Sequence, residues 1–317
     1  MRSIRPLRPS DYPAICDIFN SAHPAGTHPW DPEGAAHLDG TFTPESRLHL
    51  DVIEVDGRVI GFARTVIPPI PFHPGKFMTQ FAIHPEFQKR GYGSILFDHI
   101  IASLEQEQAI SVWAKAREDM QDSLRFLDKR GFRELERLWE SHADLASFDF
   151  SGLAAAMERA AAAGIQFQTL ADFQKTPGWD HKLHEFISHI QGDMPWEDEY
   201  VPMSFETFMS LELGRPSIRP DWYFMAMHGE RIAGVTILMS DKVNPEMLGT
   251  DDTGVHRDFR RRGIALALKL HSLKTARDRG YKRVRTFNES RNRPMLALNE
   301  KLGFVKMPAW IQLVMKF

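Results

Sequence analysis

The chain has 317 residues, 39 Lys and Arg against 42 Asp and Glu, a formal net charge of −3, 43% hydrophobic residues and a single cysteine. That length is about twice one compact domain, so two domains are predicted, each large enough to own a core. The charge excludes a general attraction to nucleic acid, the lone thiol excludes an internal disulfide, and no run approaches the roughly 20 apolar residues of a membrane helix.

Met1-Arg2-Ser3-Ile4-Arg5 leads straight into an alternating, strand-like segment without the apolar run and cleavage site of a signal peptide, so a soluble cytoplasmic protein is expected. Cys16, among Ile15, Ile18 and Phe19 of a predicted helix, reads as a buried core thiol. Residues 48–55 and 59–66 read as strands joined at Asp56-Gly57, a hairpin signal, followed by a third strand over 77–83. Then come a basic glycine motif and an amphipathic helix with Ile95, Leu96, His99, Ile100 and Leu104 on one stripe. Residues 151–164 are alanine-rich and predict a helical connector stopped at Gly164, with 165–170 as the first strand of a second half. The boundary is placed at 150, giving domains 1–150 and 151–317. In the second half a hairpin over 222–227 and 232–239, a strand over 248–255, and a helix carrying Leu266, Leu268, Leu270, Leu273 and Ala276 repeat the order. Each half is therefore predicted to be α+β, a mixed central sheet flanked by helices.

The chain matches itself at an offset of 172 residues. Gln88-Lys89-Arg90-Gly91-Tyr92-Gly93 falls on Arg260-Arg261-Arg262-Gly263-Ile264-Ala265, Ile83-His84 on Val255-His256, Gly57 on Gly229, and Lys129-Arg130-Gly131-Phe132 on Lys301-Leu302-Gly303-Phe304. A strand followed by a glycine turn that opens a helix is an anion site, because unpaired amides and the positive helix end point outward together. Three arginines at a helix start oppose its dipole unless an anion is present, and a pyrophosphate is the natural occupant. The competing reading is a solvated basic helix start or a nucleic-acid patch.

The pattern Gln/Arg-x-x-Gly-x-Gly/Ala, found twice and each time 40 residues before Gly-Phe, resembles the acetyl-CoA pyrophosphate loop of GNAT acetyltransferases. The resemblance covers nearly the whole chain and is similar to tandem members of the mycothiol synthase type. It implies two tandem domains of that type, acetyl-CoA as co-substrate, and cofactor contacts at Ile83, His84, Gln88, Lys89, Arg90, Gly91, Tyr92, Gly93 and Ser94. In the second half it implies Val255, His256, Arg257, Arg260, Arg261, Arg262, Gly263, Ile264, Ala265, Asn292 and Asn299. The acyl-CoA is expected in a V between the third strand and the next. His84 and His256 are expected to offer backbone atoms, a role as bases being the lesser alternative.

The family often uses a carboxylate on or near the third strand and a tyrosine on the last helix. Asp251 and Asp252 lie on that strand, on opposite faces if side chains alternate, whereas residues 78–83 of the first half contain no acid. Asp251, Asp252 and Asn288 are the candidate catalytic residues, with capping or ion pairing as the plain alternative. Where Asn288, Asn292, Met295 and Asn299 stand in the second half, the first has Ala116, Met120, Ser123 and Leu127. The expected tyrosine position holds Leu127 or Asn299, so the usual acid is missing. The acceptor is expected to be a primary amine of a small molecule or peptide, drawn to the acidic loop Asp193, Glu197, Asp198 and Glu199 beside Trp196, unless that loop is only solvated. The expected reaction is acetyl transfer to that amine in the second half, the alternative being a silent acyl-CoA-binding protein. No nucleic-acid or membrane partner is expected, and the chain is expected as a monomer or homodimer.

Overall fold

The computed structural model describes residues 2–24, 27, 29–69, 72–194, 200–241 and 244–317. In chain order it forms β1 (Arg2–Pro6), α1 (Tyr12–Ala22), α2 (Pro32–Thr41), β2 (His49–Val55), β3 (Arg58–Val66) and β4 (Lys76–Ile83). There follow α3 (Tyr92–Gln106), β5 (Ser111–Arg117), α4 (Gln121–Asp128), β6 (Arg133–Asp144), α5 (Leu153–Ala162), β7 (Gln166–Thr169), α6 (Leu170–Phe173) and α7 (Trp179–Gln191). The chain continues with α8 (Phe205–Thr207), a π-helical stretch Phe208–Leu213, β8 (Tyr223–His228), β9 (Arg231–Ser240) and β10 (Met247–Val255). It closes with α9 (Ile264–Asp278), β11 (Arg283–Glu289), α10 (Arg293–Lys301), β12 (Val305–Lys306) and β13 (Trp310–Lys316).

The chain divides into two compact units, Met1–Arg137 with Pro308–Phe317, and Leu138–Met307. In the N-terminal unit β1, β2, β3 and β4 pair antiparallel in turn, β4 pairs β5 in parallel, and β13 closes the sheet antiparallel to β5. In the C-terminal unit β7, β8, β9 and β10 are antiparallel, β10 pairs β11 in parallel, and β6 closes the sheet antiparallel to β11. The division therefore differs from a single cut at 150. Each unit takes into its sheet a strand drawn from the other half of the sequence, because β6 pairs with Arg283–Glu289 and β13 with Ser111–Arg117. The alanine-rich helix α5 is no mere connector either, since Ala156 and Ala160 are buried in the core of the C-terminal unit with Leu270, Leu273 and Phe304.

One of the four sequence matches slips by a residue. Val55 pairs Arg58 across Asp56-Gly57, and His228 pairs Arg231 across Gly229-Glu230, so Gly229 occupies the place of Asp56. In the N-terminal unit, Leu96, Phe97, Ile100 and Leu104 of α3 pack with Phe77, Val112, Phe132 and Leu313 on one face of the sheet, while Ile15, Ile18 and Phe19 of α1 cover Val52 and Phe62. Cys16 is buried, and burial pushes its thiol up to about 11, as fits a core thiol.

Leu313 is four residues from the end of the chain yet lies in the N-terminal core. Leu313→Ala is expected to destabilise the N-terminal unit by about 2–5 kcal/mol. Amide exchange should accelerate along Ser111–Arg117 and stay slow in β8 and β9; loss of protection in β8 and β9 instead would contradict the strand exchange.

Candidate active site

In the C-terminal unit β10 and β11 pair only over Met247–Gly249 with Arg283–Arg285, and then part. Arg285 marks the apex, its guanidinium buried on Asp241 at 2.9 Å. Beyond it, residues 250–255 of β10 keep their ladder with β9 but have no strand on the other side among the described residues, while residues 286–289 of β11 pair with β6. In the N-terminal unit β4 and β5 likewise pair only over Lys76–Met78 with Ser111–Trp113.

At the end of each parted strand lies the glycine loop. Arg260 Nε donates to Val255 O at 3.1 Å, and Gln88 Nε2 to Ile83 O at 2.9 Å, so the first loop residue ties back to the strand end in both units. Arg261 (φ 62°) and Gly263 (φ 78°) are left-handed, as are Lys89 (φ 59°) and Gly91 (φ 86°). Gly263 and Gly91 are the N-cap residues of α9 and α3, neither helix start is capped by a side chain among the described residues, and a Cβ added at either glycine would meet no atom within 4 Å. The first-turn amides of Ile264 and Ala265, and of Tyr92, Gly93 and Ser94, open these helices beside the basic residues. Arg261 and Arg262 are exposed, Lys89 pairs Asp122 at 3.2 Å, and Arg90 lies over Phe87. An uncapped helix start with guanidinium groups around it fits a pyrophosphate.

His84 and His256 each cap the turn that follows them, their Nδ1 accepting from Glu86 N and Asp258 N at 3.3 Å. His256 also stacks on His189 at 4.1 Å, and burial, together with that neighbour, lowers its pKa. These rings are caps, an arrangement that leaves the strand end to offer its backbone. Asp193 departs from expectation: it accepts from Arg257 Nε at 2.6 Å and from Arg260 Nη2, so its charge is already matched at the loop. Burial opposes its ionisation, but the two arginines hold its carboxyl below the usual range. Trp196, Glu197, Asp198 and Glu199 lie outside the described residues.

Between Thr250, which pairs Leu238, and Thr253, which pairs Thr236, β10 carries one extra residue. Asp251 and Asp252 form this bulge opposite Ile237, where β4 has the single residue Gln80 opposite Arg64. The bulge breaks the alternation that would put the two acids on opposite faces, and both meet one cluster. Arg215 Nη2 donates to Glu212 Oε2 at 2.9 Å and to Asp251 Oδ2. Gln191 Nε2 donates to Asp252 Oδ2 at 3.2 Å, and Gln191 Oε1 accepts from Tyr200 Oη at 3.2 Å. Asp252, Glu212 and Arg215 line a cleft with Tyr223, Ile237, Ile187, Phe208, Leu213 and Ile218. Burial first, then the charge of Asp251, pushes the Asp252 carboxyl up to about 7; burial and the two aspartates outweigh Arg215 and push Glu212 up to about 8. Sequence reasoning missed Glu212, Arg215 and Tyr223. The available signal was a Glu and an Arg three apart at the end of the apolar run 208–213.

Asn288, near the end of β11, and Asn299, on α10, are buried together, Asn299 Nδ2 donating to Asn288 Oδ1 at 2.6 Å. Asn299 Oδ1 has no partner among the described residues, an orphaned acceptor beside the parted strand. Asn292 caps α10, accepting from Met295 N at 3.3 Å; Met120 holds the same place in the N-terminal unit without a side-chain cap. There the counterpart of the acid cluster is closed: Arg64 is buried on Asp39 at 2.7 Å, reaches Gln80 Oε1 at 3.3 Å, and is covered by Trp30 at 4.4 Å.

The sequence profile of the acetyltransferase (GNAT) family matches residues 12–132 and again 183–304, once in each half. The chain belongs to this family, which uses acetyl-CoA and whose general reaction is acetyl transfer to an amine. It is 23% identical to the mycothiol acetyltransferase of Saccharomonospora viridis over 89% of this chain and 87% of that one. It is 28% identical to the [ribosomal protein bS18]-alanine N-acetyltransferase of Salmonella typhimurium over 42% of this chain and 82% of the other. A tandem GNAT protein from the clavulanic acid biosynthesis pathway shares the fold, with a TM-score of 0.78, 20% identity and coverage of 100% and 98%. No helix among the described residues is long and apolar enough to cross a membrane.

Asp252 yields a stability prediction. Its folded pKa lies above its ordinary value of 3.8, so the unfolded chain gives up the proton first, and stability falls as pH rises from about 4 to about 7. Asp252→Asn removes that cost. Denaturant titration is expected to find this variant more stable than the parent at pH 8 and to show the gain shrinking at pH 5; a gain independent of pH would contradict the buried carboxyl.

Proposed function

We propose that the C-terminal unit transfers an acetyl group from acetyl-CoA to a primary amine of a small molecule or peptide, with Asp252 as the base. The observation that carries the reading is the bulge of β10, which turns Asp252 into a half-apolar cleft on the strand that borders the parted edge. Supporting it, mycothiol acetyltransferases match over most of the chain, and an N-acetyltransferase of alanine matches over less than half.

When bound, acetyl-CoA supplies the acyl group as a thioester. The amides of Gly263, Ile264 and Ala265, with Arg260, Arg261 and Arg262, hold its pyrophosphate, and Arg257 adds charge at the same loop. The free edge at Val255 and His256 offers the backbone for its extended arm. Asn292 sets the start of α10, and Asn288 and Asn299 line the other wall, the free Asn299 Oδ1 ready to accept a hydrogen bond. An amine reaches the site as an ammonium, and Asp252, whose pKa near neutrality suits a base at that pH, removes one proton. As the nitrogen–carbonyl bond forms and the carbon–sulfur bond breaks, a second proton passes from nitrogen to sulfur, and Asp252 returns its own to solvent.

A second reading applies to the N-terminal unit. It keeps the loop of Gln88, Lys89, Arg90, Gly91, Tyr92, Gly93 and Ser94, and the strand end at Ile83 and His84, but Gln80 on Arg64 replaces the acid pair. We read it as a cofactor-holding module without turnover.

Thiol release from acetyl-CoA in the presence of a panel of amines tests both readings. Asp252→Asn should lower kcat by about 10²–10⁴-fold, and the parent's kcat/KM should rise with pH through an apparent value near 7. An unchanged rate in this variant would remove Asp252 from the chemistry. Gly263→Val, forced into a left-handed conformation costing about 1–2 kcal/mol, should weaken coenzyme A binding to the C-terminal unit about tenfold in calorimetry. Unaltered affinity there would refute the pyrophosphate assignment.

A further inference from the structure

Lys269, in the second turn of α9, is 3% exposed, and among the described residues its ammonium makes no hydrogen bond or ion pair. Its Nζ lies over the Phe304 ring, 5.5 Å from the centroid. Burial alone, with no contribution from a charged neighbour, lowers its pKa to about 8. A buried cation without a counter-charge is costly, and an apolar side chain of the same length would fill the space for less.

The N-terminal unit shows what packing asks of this position. At the offset of 172, Lys269 stands where α3 has Phe97. Phe97 packs 6.1 Å from Phe81, on the parted stretch of β4, and 5.9 Å from Phe126 on α4. Phe126 in turn is the side chain a Cβ at Gly93 would meet, at 3.5 Å, in the first turn of α3. The position therefore lies behind the glycine loop, between the two helices and the unpaired edge. The same offset puts Thr253, on the parted stretch of β10, and Leu298, on α10, in place of Phe81 and Phe126. Three rings are thus replaced by a threonine, a leucine and an amine. The N-terminal unit also has a cation at this corner, Arg130 over Phe126, but its guanidinium is tied to Ser94 Oγ at 2.7 Å and to Phe126 O at 3.2 Å. Lys269 has no such ties.

The reaction needs an acid on this wall of the site. Asn299 stands where the tyrosine is expected, but an amide gives up no proton near neutral pH; its Nδ2 is engaged by Asn288 and its Oδ1 only accepts. Asn299 and Lys269 meet on one residue, since Phe304 N donates to Asn299 O at 3.0 Å while Lys269 covers the ring. An amine that titrates near pH 8 is matched to proton transfer close to neutrality.

We propose that Lys269 is the acid that protonates the departing sulfur. As the carbon–sulfur bond breaks, its electron pair goes to sulfur, and the Lys269 ammonium gives that sulfur a proton. The neutral amine left on Lys269 takes the second proton shed by the nitrogen newly bonded to the carbonyl carbon, and the ammonium is restored. Lys269 is thereby the carrier of the proton that passes from nitrogen to sulfur, and Asp252 keeps its role as base. The inference rests on the reading of the C-terminal unit as an amine acetyltransferase.

The test reads the sulfur directly. Coenzyme A bound to the full-length protein is titrated with pH, and ionisation of its thiol is followed by the ultraviolet absorbance of the thiolate. A cation beside the sulfur should bring that ionisation to a pH lower by about 1–2 than in free coenzyme A, and Lys269→Met should abolish the difference. Methionine suits a buried site, so the variant should resist denaturant at least as well as the parent and bind coenzyme A with unchanged affinity. In thiol release from acetyl-CoA, Lys269→Met should lower kcat about 100-fold with KM for the amine unchanged, and the fall of the parent's kcat above about pH 8 should vanish. A bound thiol that ionises in the parent as it does in free solution, a lowered ionisation that survives in Lys269→Met, or a variant with the parent's kcat would overturn the assignment. Lowered ionisation that depends on Lys269, with no thiol release by the parent from any amine, would keep Lys269 beside the sulfur and sink the transferase reading. Release by the parent without lowered ionisation would do the reverse.

Discussion

The C-terminal unit is organised by the parting of two parallel strands. β10 and β11 share three paired positions and then separate, so the residues from Thr250 to Val255 are bonded on one edge only. Backbone amides and carbonyls left without a ladder partner need another, and an extended chain lying in the gap supplies it in the way a further strand would. Everything else in the candidate site is placed by this opening. Arg285 on Asp241 fixes its apex, Gly263 and the start of α9 lie at its mouth, and Asn288 and Asn299 stand on its far wall. The family assignment and the geometry meet at this point, since the same parting and the same loop backbone occur in both units.

One inserted residue sets the acid cluster of the C-terminal unit apart. The bulge at Asp251-Asp252 stands where β4 has Gln80, and its effect is electrostatic. Two neighbouring carboxylates, a third from Glu212 and poor access to water make ionisation expensive, and a single arginine does not cancel the cost. Such a group is costly for folding and suited to proton transfer near neutral pH. The N-terminal unit spends the equivalent space on Arg64, Asp39 and Trp30, a closed ion pair under an aromatic ring.

Much of this was legible in the sequence, and the reasons for the rest are physical. The glycine loops, the hairpins and the Gly-Phe turns are local features whose residue types are dictated by their own backbone, and they stood out at one offset. The exchange of β6 and β13 left no such mark, because which distant strand closes a sheet depends on pairing partners that are not written in either strand. The bulge was equally hidden: a strand read alone alternates, and an extra residue appears only against the register of β9. Asp193 read as part of an acidic loop, and only the fold brings it onto Arg257 and Arg260. Glu212, Arg215 and Tyr223 come from three separate segments, so their cleft exists only once the chain is folded.

The claim that the parted edge and the helix start together hold coenzyme A is tested most directly by amide hydrogen exchange with and without that ligand. The account predicts that protection rises together at Thr253, Gly254 and Val255 and at Gly263, Ile264 and Ala265. Binding that leaves both segments exchanging at their free rates would contradict it.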